Sequence, residues 1–417
     1  MSRRVGILGG GQLGSLLASA VHDLGAEVFI YEPDPAAPAC ARFKHVTNAA
    51  WTDKEALARF FSEVDVVTYE MEHIDTSALK EVAAASTARL TPSCHVLETA
   101  QDRAREKDFL RSSGLPHVDF AVVRGRAELL RTAAAFGFPF ILKTLRGGYD
   151  GKGQFFVASQ TDLESLAAIF GNEDPCVLEE VIDLTFEASC IVGRSGSGAD
   201  VEEVVFPIFE NVHTGHILDL TLVPARIPES LRAAIAGIAL DAARALDVQG
   251  LLTTEFFVTR RAEQRSRGTV VDGYHVYVNE LAPRPHNSGH VTRNACTLSQ
   301  FDVLARILLG IPVSTPALVG PGSFCMGNLL GDVWIAQGAR RPAPSADDTH
   351  VDGPPELDLS VMRRFPEVID VVFYGKREVE ARRKMGHFVT AAPDAVQAAA
   401  AAKAFRVALT SAAARST

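Results

Sequence analysis

Residues Phe140–Val157 read FILKTLRGGYDGKGQFFV. Lys143 leaves an apolar run and is followed at once by Gly147, Gly148, Gly151 and Gly153, interleaved with Tyr149, Asp150, Lys152 and Gln154. FPFILKTL and QFFVAS are rich in aromatic and aliphatic residues and predict two strands. The glycine-rich hairpin between them, with its backbone amides and lysines, suits a mobile lid over a triphosphate. G-x-x-x-x-G-K-[ST] is absent, so this is not the other common phosphate loop. A hairpin with merely solvated charges is the competing reading, and the neighbouring segments decide between them.

Downstream, CVLEEVIDLTFE carries Glu179, Glu180 and Glu187, acids at a strand end that can accept hydrogen bonds from a base amine or a ribose hydroxyl. VDFAVV and EEVVFPIFENVH predict further strands, and residues 229 to 246 predict a helix. LLTTEFFVT and YHVYVNELA then read as an antiparallel pair. Glu255 sits in the first and Glu280 in the second, beside Asn279. Carboxylates on such strands are costly to bury without a cation. Two of them suit Mg²⁺ of the kind that shares its shell with substrate phosphates; a salt bridge to nearby Arg284 is the alternative. The loop APRPHNSGH follows, placing Arg284, His286, Asn287 and His290 between prolines and a glycine, a rigid cradle for a small oxyanion.

Upstream, strand and helix alternate from the N-terminus to about residue 90, the rhythm of a parallel sheet flanked by helices. Thr52 and Glu55 predict a capping box on one of these helices. GILGGGQLG (Gly6–Gly14) fits G-x-G-x-x-G between a strand and a helix, and Glu32 lies 23 residues after Gly9, where a dinucleotide-binding protein carries its ribose acid. The same turn serves any phosphate. A polar helix over ETAQDRAREKDFLRSSG, residues 98 to 114, leads into the next region. Beyond Ile311, FCMGNLLG and VIDVVFYG predict strands and the alanine-rich AVQAAAAAKAFRVALTSA a terminal helix.

A chain of 417 residues, 47% apolar and 22% charged, has ample core for two or three domains. Its net charge of −10 argues against nucleic acid as a partner. Six cysteines without C-x-x-C spacing suggest neither structural zinc nor a disulfide framework, and no apolar stretch is long enough to span a bilayer. A cytoplasmic protein without a signal peptide is expected.

In this order the pieces resemble the ATP-grasp superfamily, and within it the N5-carboxyaminoimidazole ribonucleotide synthetases of purine biosynthesis. The resemblance rests on GGGQLG, YEMEHID, QDR with a following EK, GGYDGKGQ, LEEVIDLTFE, PIFENVHTGHIL, TTEFF, NELAPRPHNSGH and YGKREVEARRKMGH, and covers nearly the whole chain. It implies a mixed α/β and α+β architecture: a parallel-sheet pre-ATP-grasp domain over 1–100, an ATP-grasp domain over 101–310 with a lid at about 116–182, and a small C-terminal domain over 311–417. It implies ATP held by Arg103, Lys143, the lid residues Gly148, Tyr149, Asp150, Gly151, Lys152, Gly153 and Gln154, the hinge Glu179, Glu180, Val181 and Ile182, and Glu187, His213, Asn279 and Glu280. Glu255 and Glu280 would bind two Mg²⁺ ions. Aminoimidazole ribonucleotide would meet Gly11, Gln12, Leu13, Glu70, Tyr149, Asp150, Lys152, Arg284, His286 and Asn287, with Lys376, Arg383 and Lys384 near its phosphate. Bicarbonate is the further substrate, and a homodimer the implied assembly. Lys143, Arg284, His286 and Asp150 would carry the chemistry, Asp150 ahead of His286 as the proton acceptor.

The chain departs from the family pattern in two places. Val291 follows His290 where the family has tryptophan, and Glu380 and Ala381, with Arg382 after them, replace a proline-glycine, leaving the basic residues there uncertain by one position. Two other functions remain open at this level. Another ATP-grasp ligase, using formate or an amino acid, would share the nucleotide site. A nicotinamide-dependent dehydrogenase would use GILGGGQLG and Glu32 and leave the later motifs unexplained.

Overall fold

The computed structural model describes residues 3–148, 153–167, 174–196, 198–261, 266–338 and 357–411. The N-terminal part forms a five-stranded parallel sheet in the order His45–Thr47, Glu27–Tyr31, Arg4–Leu8, Val66–Tyr69, Arg89–Leu90. Leu8 pairs in register with Tyr31 on one side and Tyr69 on the other. The residues that follow these strand ends, Gly9, Glu32 and Glu70, therefore emerge together at one edge, where the helix Gln12–Asp23 begins.

That helix buries Leu13, Leu17 and Val21 in a core shared with Phe301, Leu304 and Leu308 of the helix Gln300–Leu309. Burying side chains of this size stabilises by about 1.5–3 kcal/mol each. The glycine turn is thereby fixed to the helix Gln300–Leu309 as well as to its own sheet.

Two differences from the sequence reading concern helix ends. The expected helix over residues 98 to 114 is two helices, Cys94–Ala100 and Arg103–Ser112. Asp102 breaks it because its side chain accepts hydrogen bonds from Ala104 N and Arg105 N, starting a new helix at Arg103. The Thr52–Glu55 capping box does not form; Asp53 caps the helix Lys54–Ser62 by accepting from Ala56 N.

A four-stranded antiparallel sheet has the order Phe120–Arg124, Pro175–Glu180, Phe140–Thr144, Gln154–Val157. Lys143 pairs with Gln154 across the hairpin and with Val177 on the other side, which places Lys143 and Glu179 as diagonal neighbours on one face.

A ten-stranded sheet completes the fold. Its path runs Thr269–Val271, Tyr274–Ala282, Gly250–Thr259, Phe186–Ser195, Phe209–Thr214, Ile217–Val223, Ser323–Leu330, Lys384–Ala392, Val368–Phe373, with Glu202–Val205 pairing Phe186–Ser195. Strands from the C-terminal part thus extend the central sheet. Phe186–Ser195 and Lys384–Ala392 had no counterpart in the sequence reading; both mix small, polar and charged residues with apolar ones and show no clean alternation. The helix Ala395–Ser411 covers this end, burying Ala398, Ala402, Phe405 and Leu409. Among the described residues no helix is long and apolar enough to cross a membrane.

Candidate active site

The three sheets meet around a cleft of about 760 Å³. The four-stranded sheet contributes Lys143, Gln154 and the segment Glu179, Glu180, Val181, Ile182. Lys143 Nζ lies 2.7 Å from Glu179 Oε2. Burial opposes ionisation of Glu179, but Lys107 and Lys143 outweigh it and hold its carboxyl down at about 2. Glu180 does not point the same way: its Oε2 accepts from Ser266 Oγ at 2.5 Å. Tyr149, Asp150, Gly151 and Lys152 lie outside the described residues. The hairpin's ends are tied by Thr144 N donating to Gly153 O at 2.9 Å, and Gly153 has a φ of +69°, where a side chain would also strike Thr144.

Arg103, placed at the new helix start by the break at Asp102, reaches both walls. Its Nη2 donates to Gly148 O at 3.3 Å and stands 4.0 Å from Glu280 Oε2.

The ten-stranded sheet carries the acids. Glu255 and Glu280 are direct partners across antiparallel strands, beside a register shift at Glu255/Phe256 that turns both toward the cleft. Glu255 Oε1 lies 3.2 Å from His286 Nε2. Burial resists its ionisation, but the hydrogen bond and charge of His286, with His213 and Lys384, hold it at about 2. Glu280 behaves oppositely. Lost hydration in the cleft raises its pKa, Arg103 pulls it down, and Glu255 and Glu72 push it up again, although 47% of the side chain still faces the cleft. A repelling carboxylate pair with open space beside it is a donor set for a hard divalent cation. Among the described residues no group of three or more potential ligands is gathered, so phosphates and water would have to complete the shell. The alternative partner, Arg284, is engaged elsewhere: its Nε donates to Glu72 Oε1 at 2.6 Å.

His213 Nδ1 lies 3.1 Å from Glu187 Oε2, and although burial lowers its pKa, Glu187 and Glu255 raise it overall. Asn279 and Asn287 line the cleft, and both amide atoms of Asn287 are buried without a hydrogen-bond partner among the described residues. Such an amide is a docking group awaiting a polar ligand.

The parallel sheet supplies the third wall through Gln12, Leu13 and Glu70. Gly11 N donates to Glu70 Oε1 at 2.7 Å. Burial raises the Glu70 carboxyl to about 7, against the pull of the Gly11 amide and Arg284. Glu32, the expected ribose acid, is used internally: it accepts from Gly10 N at 2.7 Å and from Asp34 N at 3.0 Å. It braces the turn that a dinucleotide would have to approach.

Of the late basic residues, Lys384 lines the cleft. Lys376 Nζ donates to Gln12 Oε1 at 3.1 Å and to Lys384 O at 2.7 Å, joining the C-terminal part to the glycine turn. Arg383 is turned away, its Nη1 donating to Glu378 O at 3.1 Å. Three residues of this centre were not singled out from sequence: Glu72, Glu106 and Lys107. The motifs YEMEHID and QDR…EK contain them, yet Glu72 stands in an irregular segment after a strand, and the helical Glu106 and Lys107 of a polar segment carry no mark of burial in the sequence, although Lys107 is 1% exposed.

The ribonucleotide synthetase preATP-grasp domain matches residues 1–101, the ATP-grasp domain residues 108–301, and the phosphoribosylaminoimidazole carboxylase C-terminal domain residues 325–401. N5-carboxyaminoimidazole ribonucleotide synthase from Bacillus subtilis is 34% identical over 387 residues, 92% of this chain and 90% of that one. The chain belongs to the N5-carboxyaminoimidazole ribonucleotide synthase family. The Brucella melitensis synthase is 36% identical, covering 93% of this chain and 96% of its own. The Aspergillus clavatus synthase, solved with ADP and 5-aminoimidazole ribonucleotide, superposes with a TM-score of 0.79 at 27% identity over 99% of both chains. Within this family of ATP-dependent ligases the chain's Val291 is wholly buried in the core that joins the first helix to the central sheet.

Proposed function

We propose that the protein carboxylates 5-aminoimidazole ribonucleotide on its exocyclic amine with ATP and bicarbonate, giving N5-carboxyaminoimidazole ribonucleotide, ADP and phosphate. The observation that carries the reading is the convergence in one cleft of Lys143 and the hinge from one sheet, the Glu255–Glu280 pair from another, and the Gln12 turn from a third.

ATP lies between the hairpin and the hinge, with Lys143 and Arg103 offsetting phosphate charge. Glu255 and Glu280 fit as holders of Mg²⁺, which when bound screens the oxygens of the transferring phosphoryl group. Bicarbonate attacks the γ-phosphorus, forming carboxyphosphate and releasing ADP; positioning and charge compensation supply most of the acceleration. Carboxyphosphate yields CO₂ and phosphate inside the closed cleft, where Arg284 offers a planar, permanently charged donor to the anion. The amine captures CO₂ and loses a proton, for which Asp150 is the acceptor and His286 the second choice. Gln12 and Leu13 amides, with Lys376 and Lys384, hold the 5′-phosphate at the helix start.

The working units are residues 1–100, 101–310 with the lid at about 116–182, and 311–417. Six free cysteines support a cytoplasmic setting, and the family resemblance supports a homodimer. The decisive assay measures ADP release with ATP, Mg²⁺, bicarbonate and the ribonucleotide, omitting each in turn. Release that ignores both bicarbonate and the ribonucleotide would refute the substrate assignment and leave the ATP site standing.

A further inference from the structure

Glu179 is buried, 2% exposed, and has two ammonium groups on it: Lys143 Nζ at 2.7 Å from Oε2 and Lys107 Nζ at 3.5 Å from Oε1. One cation would neutralise the carboxylate, so the second needs an explanation.

The two lysines are not equivalent. Lys143 lines the cleft, at the root of the glycine hairpin. Lys107 lies behind Glu179 and also donates to Asn279 O at 2.9 Å. Its neighbour Glu106 accepts from Leu281 N at 2.6 Å, so the helix Arg103–Ser112 is fastened to the strand on both sides of Glu280. Lys143 faces the cleft, whereas Lys107 is tied to the strand as well as to Glu179.

We propose that Lys107 is a standing counterion: it keeps Glu179 compensated when Lys143 leaves it for the nucleotide phosphates. This rests on reading the cleft as the nucleotide site. Without Lys107, departure of Lys143 would strand a buried carboxylate, which is strongly unfavourable. Nucleotide binding would then either draw a proton onto Glu179 or be opposed by its grip on Lys143. The other charged groups near the pair do not replace Lys107. Arg103, on the same helix, also favours the ionised Glu179 but less than either lysine, and it stands by Glu280, while Glu106 and Glu280 are acids. Lys107 acts through Glu179 and Lys143 and is therefore a positioning residue.

The test is ADP binding to the full chain by calorimetry, at about pH 6 and about pH 8, in buffers of different ionisation enthalpy so that proton uptake is counted. Lys107→Met should weaken ADP about tenfold or more at the higher pH, less at the lower, and add up to about one proton taken up relative to wild type. In a Glu179→Gln background, adding Lys107→Met should change neither affinity nor proton count, because no carboxylate remains to compensate. An equal loss at both pH values with the wild-type proton count, persisting in the Glu179→Gln background, would overturn the proposal and leave Lys107 as a helix fastener. Failure of the wild-type chain to bind ADP would instead remove the nucleotide reading on which the proposal stands.

Discussion

Glu255 and Glu280 oppose each other directly across two antiparallel strands; Glu255 has a close compensating partner, His286 at 3.2 Å, and Glu280 a more distant one, Arg103 at 4.0 Å. The pair is asymmetric: one carboxylate is held ionised, and the other is raised by lost hydration and by its neighbours' charge. A divalent cation would lower Glu280 again. Glu280→Gln should therefore raise the Mg²⁺ concentration needed for half-maximal rate and reduce turnover on the order of a thousandfold, since such an ion contributes several kcal/mol of charge stabilisation. ADP binding without Mg²⁺ should change little. Titrating Mg²⁺ against initial rate checks this, and an unchanged requirement would separate Glu280 from the metal.

Arg284 is held by Glu72 rather than by either of those acids. Its planar fork is thus oriented before any anion arrives. Arg284→Lys keeps the charge and loses the fork, so it should lower carboxylation by about a hundredfold, while ADP affinity holds. Comparing ADP released with carbamate formed distinguishes lost coupling from lost ATP binding.

In sequence Asp150 stands between Gly148 and Gln154, both of which line the cleft. If it accepts the amine proton, Asp150→Asn should cut carboxylation by about 10²–10⁴, the usual worth of a positioned base, with the ribonucleotide KM much less affected. A rate near wild type would pass the role to His286.

Much of this centre was readable because loops and strand ends carry unusual residues. Gly148, Gln154, Glu255, Asn279, Glu280, Arg284 and His286 all stand in segments whose composition has no simple packing explanation, and all reach the cleft. What escaped was contact across the fold. The sequence order of Glu106 and Lys107 says nothing of a strand about 170 residues away, and a helix rich in charge looks solvated until its partner strand is placed. Glu32 misled for a related reason: an acid after the second strand has the same spacing whether it meets a ribose or the amide of Gly10.

A Cβ at Gly11 would come within 2.6 Å of Glu70 Oε1, and the amide of Gly11 is donated to that same oxygen. Gly11→Ala should displace Glu70 and disturb the adjacent Gln12, whose side chain Lys376 holds. The expected result is a raised ribonucleotide KM, about tenfold, with ADP affinity unchanged, because the nucleotide contacts lie on the other two sheets. Equal losses of both would show that the glycine turn serves the whole cleft.

Glu70 also gives the fold a pH dependence whose sign is definite. Burial raises its carboxyl to about 7 from an ordinary 4.5, so between those values the native chain holds a proton that the unfolded chain releases. Stability from this group is therefore greatest below the unfolded value, falls as pH rises through the window, and is level above about pH 7. Glu70→Gln keeps an acceptor for Gly11 N and removes the titration. It should be more stable than wild type by about 1–3 kcal/mol at about pH 8 and by much less near pH 5, one pKa unit being worth about 1.4 kcal/mol. Glu106, also raised by burial, remains in both chains and cancels in the difference. Urea unfolding across this range reads the result. A variant offset that is constant with pH would mean that folding does not shift the Glu70 titration across this range.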